Sequence, residues 1–191
     1  MAICLAQQPE ADALLDENPL ALLLGMLLDQ QFPMERAFAG PRLLADRLGG
    51  TLDARALADA DPDELTALFT GPPAVHRYPG SMAQRTQAVC RHIVNNYDGD
   101  VTRLWAEAAD GRDLLKRMTA LPGFGKQKGQ IFVALLGKQR GVQPDGWREA
   151  AGGYGLPDVH RSVADVVDAE SLAAVRAYKQ EQKAAAKAKA E

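Results

Sequence analysis

Leu121 to Gln130, LPGFGKQKGQ, is the stretch whose residue types and spacing best suit chemistry. Pro122, Gly123 and Gly125 predict a tight turn between two apolar-periodic segments, a helix–hairpin–helix with backbone amides bare at its tip. Those amides and the positive end of the second helix's dipole point the same way, an arrangement that suits a phosphate. Lys126 and Lys128 add positive charge beside the turn. Downstream, Asp145 stands in a Pro-Asp-Gly turn. A fixed carboxylate there could stabilise a developing cation and orient or activate a water. Pro-Asp-Gly is also ordinary loop chemistry, with the aspartate bonding to nearby backbone.

The elements that must position these groups read as helices throughout, because no segment sustains strand alternation. Leu114, Leu115 and Met118 form the apolar face of the first hairpin helix, and Ile131 with Val133 to Leu136 that of the second. Asn18 is the N-cap candidate of an earlier helix, with Pro19 at its first position and a run LALLLGMLLDQQ apolar nearly all round. Its polar end, Asp29, Gln30 and Gln31, is abrupt, and Pro33 closes it. Met34 to Leu48 predicts a helix stopped at Gly49 and Gly50. Short helices follow over Asp53 to Ala60 and Pro62 to Phe69, the second capped by Asp61. Gly71 to Gly80, GPPAVHRYPG, must be a loop, after which Ser81 is expected to cap a helix reaching Tyr97. Val101 to Ala109 predicts another short helix. Beyond Lys138 the chain is turn-rich, and Ala151 to Gly155, AGGYG, reads as connection. Val163 to Val175 returns to a weak helical pattern. The tail from Tyr178, alanine and lysine without an apolar stripe, predicts an exposed, fraying helix.

Composition sets outer bounds. The 191 residues suffice for one sizeable domain or two small helical lobes sharing a cleft, and 47% hydrophobic with 25% charged residues describes a soluble globular chain. A net charge of −3 argues against nonspecific coating of nucleic acid, although a local basic patch can act inside an acidic whole. Cys4 and Cys90 are too few for a disulfide framework, and Cys90, on a helical apolar face, reads as core. The start has no basic n-region, and Leu20 to Leu28 is too short to span a bilayer, so the expectation is a cytoplasmic protein without a membrane segment.

LPGxG, a basic helix and a downstream aspartate together resemble the HhH-GPD superfamily of base-excision DNA glycosylases, which includes endonuclease III and the adenine glycosylases. The resemblance runs from about Pro19 to His160 and implies an all-α, two-lobed fold. The expected organisation is a glycosylase-like domain over 1–177, with the hairpin at 112–138, and an Ala/Lys-rich tail over 178–191. The resemblance further implies double-stranded DNA as partner, contacted through Leu121, Gly123, Gly125, Lys126, Gln127 and Lys128. In the endonuclease III-like proteins a glutamine at the end of the first buried helix enters the gap left by the flipped base. Gln31, with Gln30 beside it, holds that place here, although adjacent polar residues at a helix end are also commonly just solvated.

Bifunctional members carry a lysine two residues after the second hairpin glycine, and here that residue is Gln127, eighteen residues before Asp145. An amide cannot attack the sugar C1′ as an amine does, so the resemblance implies a monofunctional, hydrolytic glycosylase. Asp145 would be its catalytic carboxylate, facing the positive charge that builds on the sugar. The family usually continues that aspartate with Thr-His, and here Gly146-Trp147 follows. Met26 stands where adenine glycosylases hold a glutamate, which speaks against adenine excision of that type. His76 and Tyr78, with Arg77, could touch DNA or the extruded base, or pack on the surface; Trp147 and Tyr154 could wall a base pocket, or simply pack. With two cysteines, the four-cysteine iron–sulfur loop of some relatives is not possible, so no cluster, metal or other cofactor is expected. The protein is expected to act as a monomer. Two other readings stay open: a non-catalytic hairpin module that binds DNA alongside repair or defence proteins, and a helical protein-interaction domain without a DNA role.

Overall fold

A computed structural model of the chain describes the backbone of residues 2–190 and the side chains through residue 188. Among the described residues the fold is all-helical, with no strand. The first helix, α1 (Pro9–Glu17), was not expected; Pro9 opens it, and Ala11, Asp12 and Leu15 face inward. Its Asp12 carboxylate accepts from the amides of Leu5 and Ala6, tying down the preceding segment. Helix α2 (Pro19–Leu28) follows, with the Asn18 side chain accepting from the amides of Leu20 and Ala21. Every residue from Leu20 to Leu28 is buried, which makes α2 the central post of the molecule. Burying its leucines contributes about 1.5–3 kcal/mol each relative to exposure.

Helix α3 (Met34–Arg47) packs on α1 and α2 and stops at Gly49 and Gly50, whose positive φ lets the chain reverse. Helices α4 (Ala54–Asp59) and α5 (Pro62–Thr70), capped by Asp53 and Asp61, both lie against α6 (Pro79–Tyr97). Helix α6 begins two residues before the expected Ser81, because Pro79 takes the first helical position. Arg47 pins the intervening loop by donating to the carbonyls of Gly71 (3.0 Å) and Pro73 (2.6 Å).

The short α7 (Arg103–Ala106) leads to the hairpin, α8 (Gly111–Thr119) and α9 (Lys126–Gln139). Asp110 is the N-cap of α8, and its side chain accepts from the Asp113 amide. The turn-rich stretch after Lys138 holds α10 (Trp147–Ala151) and a 3-10 turn at Gly152–Tyr154, both packed along α9. A second 3-10 turn, Val163–Asp165, is closed by a capping box between Ser162 and Asp165 and seats on α9 through the Lys138–Asp165 pair and the Gln139 side-chain amide, which donates to the Ala164 and Val166 carbonyls. Helix α11 (Ala169–Ala190) then runs unbroken across the boundary expected near 178. Leu172 and Val175 anchor it in the core, and Arg176 forms an ion pair with Glu35 of α3.

Candidate DNA-processing cleft

The hairpin turn is built as its sequence requires. Leu121 and Phe124 are buried under it, and the Phe124 amide donates to the Leu121 carbonyl at 3.0 Å. Gly123 has φ +82°, and a Cβ there would lie 3.1 Å from a Leu27 methyl, so the turn needs glycine both for its backbone and for its approach to α2. Gly125 caps α9 without a side chain, and the amides of Gly125, Lys126, Gln127 and Lys128 have no acceptor among the described residues. Lys126 and Gly125 are exposed. An anion is the natural partner of that tip.

Beside the tip lies a cleft of about 900 Å³. One wall comes from α2 and the segment after it: Met26 and Asp29, three residues apart on one helical face, then Gln31 and Phe32. The facing wall is Gln127, Lys128 and Ile131 of α9, and α11 closes the side with Arg176, Lys179 and Lys183. The tail expected to be a solvated helix therefore contributes cations to the cleft.

Within this cleft the expected groups take distinct parts. Gln31 is exposed, borders the cleft and has φ +51°, a left-handed conformation uncommon for a non-glycine residue. Gln30 is tied down: Arg85 donates to its Oε1 at 2.7 Å and the His76 ring bonds its carbonyl at 3.1 Å. Gln127 is exposed and donates from Nε2 to the Tyr154 hydroxyl at 2.8 Å, so Tyr154 stands at the cleft's edge through that bond. Lys128 turns inward, and its Nζ donates to the Leu27 carbonyl at 2.8 Å, capping the C-terminal end of α2 across the two halves of the chain. Burial pulls its ammonium down to about 8, an effect that Asp29 opposes and Arg85 reinforces. Lys128 therefore lines the cleft, because α2 crosses beside it.

Other expected pocket residues are placed elsewhere. His76 is buried; its Nδ1 accepts from the Tyr78 amide at 3.0 Å while Nε2 donates to Gln30, and its ring lies 4.5 Å from that of Phe32. Accepting at Nδ1 while donating at Nε2 requires the neutral ring, and burial pulls its pKa below the usual value. His76 thus braces the segment bearing Gln30 and Gln31 and is not itself open to a base. Tyr78 is exposed beside it. Trp147 is buried with its ring against Gly137 of α9, outside the cleft lining.

Asp145 also stands apart. It is exposed, is absent from the cleft lining, and its carbonyl accepts from the Gly111 amide at 2.8 Å, at the start of α8. That is the end of the hairpin opposite its tip: with Trp147 packed on Gly137, the loop lies roughly 16 Å along α9 from Lys126 at 1.5 Å per residue. The Pro-Asp-Gly turn starts α10, whose N-cap Gly146 has φ +74°. The acids that do line the cleft are Glu35, paired with Arg176, and Asp29, which the sequence showed only as part of an abrupt polar helix end. Its helical spacing from Met26 was the signal available. Desolvation pushes its carboxyl above the usual range, with Lys179 and Lys128 opposing. Among the described residues no helix is long and apolar enough to cross a membrane.

No curated protein and no solved structure matches the chain. The model of the HhH-GPD superfamily of base excision DNA repair proteins matches residues 24–191, which takes in α2, the hairpin and both walls of the cleft. A hairpin with free amides beside a cleft bordered by polar and cationic side chains is the arrangement such a protein needs, and this chain belongs to the HhH-GPD superfamily of base excision DNA repair proteins.

Proposed function

We propose that the protein is a monofunctional DNA glycosylase that hydrolyses the N-glycosidic bond of a damaged or modified base extruded from duplex DNA. The observation that carries this reading is the adjacency of the unpaired amides at the start of α9 to the cleft bordered by Gln31 and Gln127. A phosphate held at those amides leaves the neighbouring nucleotide beside the cleft, and Gln31 stands at its mouth to fill the vacated stack. Hydrolysis without strand cleavage fits the two groups nearest the lyase position: Gln127 has no nucleophilic amine, and the Lys128 amine is committed to the Leu27 carbonyl. The protein acts as a monomer in this reading, with Lys179 and Lys183 at the cleft and Lys126 exposed at the hairpin tip offsetting an acidic whole.

Duplexes carrying a panel of lesions, including uracil, hypoxanthine, 8-oxoguanine and alkylated purines, are incubated with the protein and heated in alkali. Base release appears as strand breakage only after alkali; breakage before alkali would show a lyase. One observation favours a second reading, a DNA-binding protein without chemistry: Asp145, at the position of the family's aspartate, lies outside the cleft. DNA binding with no base released from any lesion would establish that alternative. Lys126→Glu should weaken DNA binding in a salt-dependent way; no effect, with no DNA affinity in the parent, would leave a protein-interaction role.

A further inference from the structure

Two carboxylates line the cleft, Asp29 and Glu35. Glu35 is paired with Arg176 of α11. The Asp29 carboxylate accepts no hydrogen bond from any described group and forms no ion pair, although the ammonium groups of Lys128 and Lys179 act on it through space. This half-buried carboxylate stands at the C-cap of a helix buried from Leu20 to Leu28, opens on the cleft and is held by no described donor, so its hydrogen-bonding capacity is free for a ligand or water there. Asp165, another acid close by in sequence to the expected site, is already committed to Lys138 at 2.5 Å and to the amides of Arg161 and Ser162. Asp145, exposed at the far end of α9, is not among the residues that line the cleft.

We propose that Asp29 is the catalytic carboxylate of this chain, set to face the sugar of the extruded nucleotide. The assignment rests on the glycosylase reading and adds to it the residue that acts. As the C1′–N bond breaks, its electron pair leaves with the base and positive charge collects on the sugar ring, where an ionised Asp29 stabilises it. A water then bonds to C1′ through its oxygen and passes a proton to Asp29, which returns it to the departing base. One water is consumed, its hydroxyl on C1′ and its hydrogen on the base, and the carboxylate is regenerated. Lys128, fixed to the end of α2, keeps the hairpin and the acid in register.

The test does not need the identity of the base. Two duplexes are compared: one carries a protonated pyrrolidine in place of the sugar, a stable mimic of the cationic intermediate, and the other a neutral tetrahydrofuran abasic site. The parent protein should bind the pyrrolidine duplex more tightly, by roughly ten-fold for one added charge–charge interaction in a half-buried site. Asp29→Asn should lose the preference and bind both duplexes alike, and Asp29→Glu should recover part of it. Should the asparagine variant fail to fold, Asp29→Ser is read the same way. A preference that survives in Asp29→Asn and disappears in Asp145→Asn overturns the assignment, as does a parent that binds both duplexes equally. A parent that binds neither duplex removes the DNA reading itself and this assignment with it, which separates the two failures.

Discussion

Gln31 and Lys128 show how single residues in the cleft are held at an energetic cost. The left-handed backbone of Gln31 is disfavoured for a side-chain-bearing residue by about 1–2 kcal/mol, and glycine would relieve it. Glycine also adds freedom to the unfolded chain, which offsets up to about 1 kcal/mol. Gln31→Gly is therefore expected to leave urea stability equal to the parent or up to ~1 kcal/mol above it, while weakening binding to a duplex with an abasic site. A variant both less stable and unchanged in binding would show that the glutamine is only structural. Lys128 gives a prediction in pH. Folded, it releases its proton near about 8, and unfolded near its ordinary 10.5, so between those values the unfolded chain holds more protons. Stability must rise with pH across that window as the penalty of burying an ammonium disappears, and must be insensitive to this group below it. Urea midpoints at pH 7.5 and 9.5 should show the parent gaining on Lys128→Met.

At the scale of elements, the approach of α10 to α9 is set by one absent side chain. A Cβ on Gly137 would lie 2.3 Å from the six-membered ring of Trp147, which neither rotates freely nor has space to retreat in a buried site. Gly137→Ala should cost about 1–3 kcal/mol by urea denaturation, and more if α10 detaches. Trp147→Leu in the same background should restore part of that stability. This packing also explains what the sequence could and could not disclose. Helices α2, α3, α5 and the hairpin were legible because caps, prolines and glycines punctuate apolar periodicity at their ends. Helix α1 was missed because its short inward face, Ala11, Asp12 and Leu15, includes an acid that the fold uses to bind backbone amides. Helix α10 was hidden by the turn chemistry flanking it, and only α9's glycine shows where Trp147 must go. The hairpin tip could be read from spacing, whereas Gln31 was singled out by the family resemblance. Asp29 could not be chosen over Asp145 from spacing alone, since which acid faces a cavity is decided by packing between residues a hundred positions apart, as the Lys128 bond to Leu27 illustrates.

For the whole molecule, α11 decides how a chain of net charge −3 meets DNA. Its inner residues Leu172 and Val175 belong to the core, whereas Lys179 and Lys183 line the cleft beyond the ion pair of Arg176 with Glu35. The division lies within a single helix, so the outer part can be removed without touching the packed part. A chain ending at residue 177 keeps the core anchors and the Arg176–Glu35 pair, and its urea stability should stay within about 1 kcal/mol of the parent. It no longer carries the cations at the open side of the cleft. If those lysines neutralise phosphates, each releases counterions on binding, and the slope of log affinity against log salt should become shallower by about 0.9 for each phosphate left without its lysine. Lysines 179 and 183 then predict a change of about two in the slope, with weaker binding at low salt and a smaller difference at high salt. An unchanged slope would confine DNA to the hairpin face and leave α11 as a brace on α3 through the Arg176–Glu35 pair.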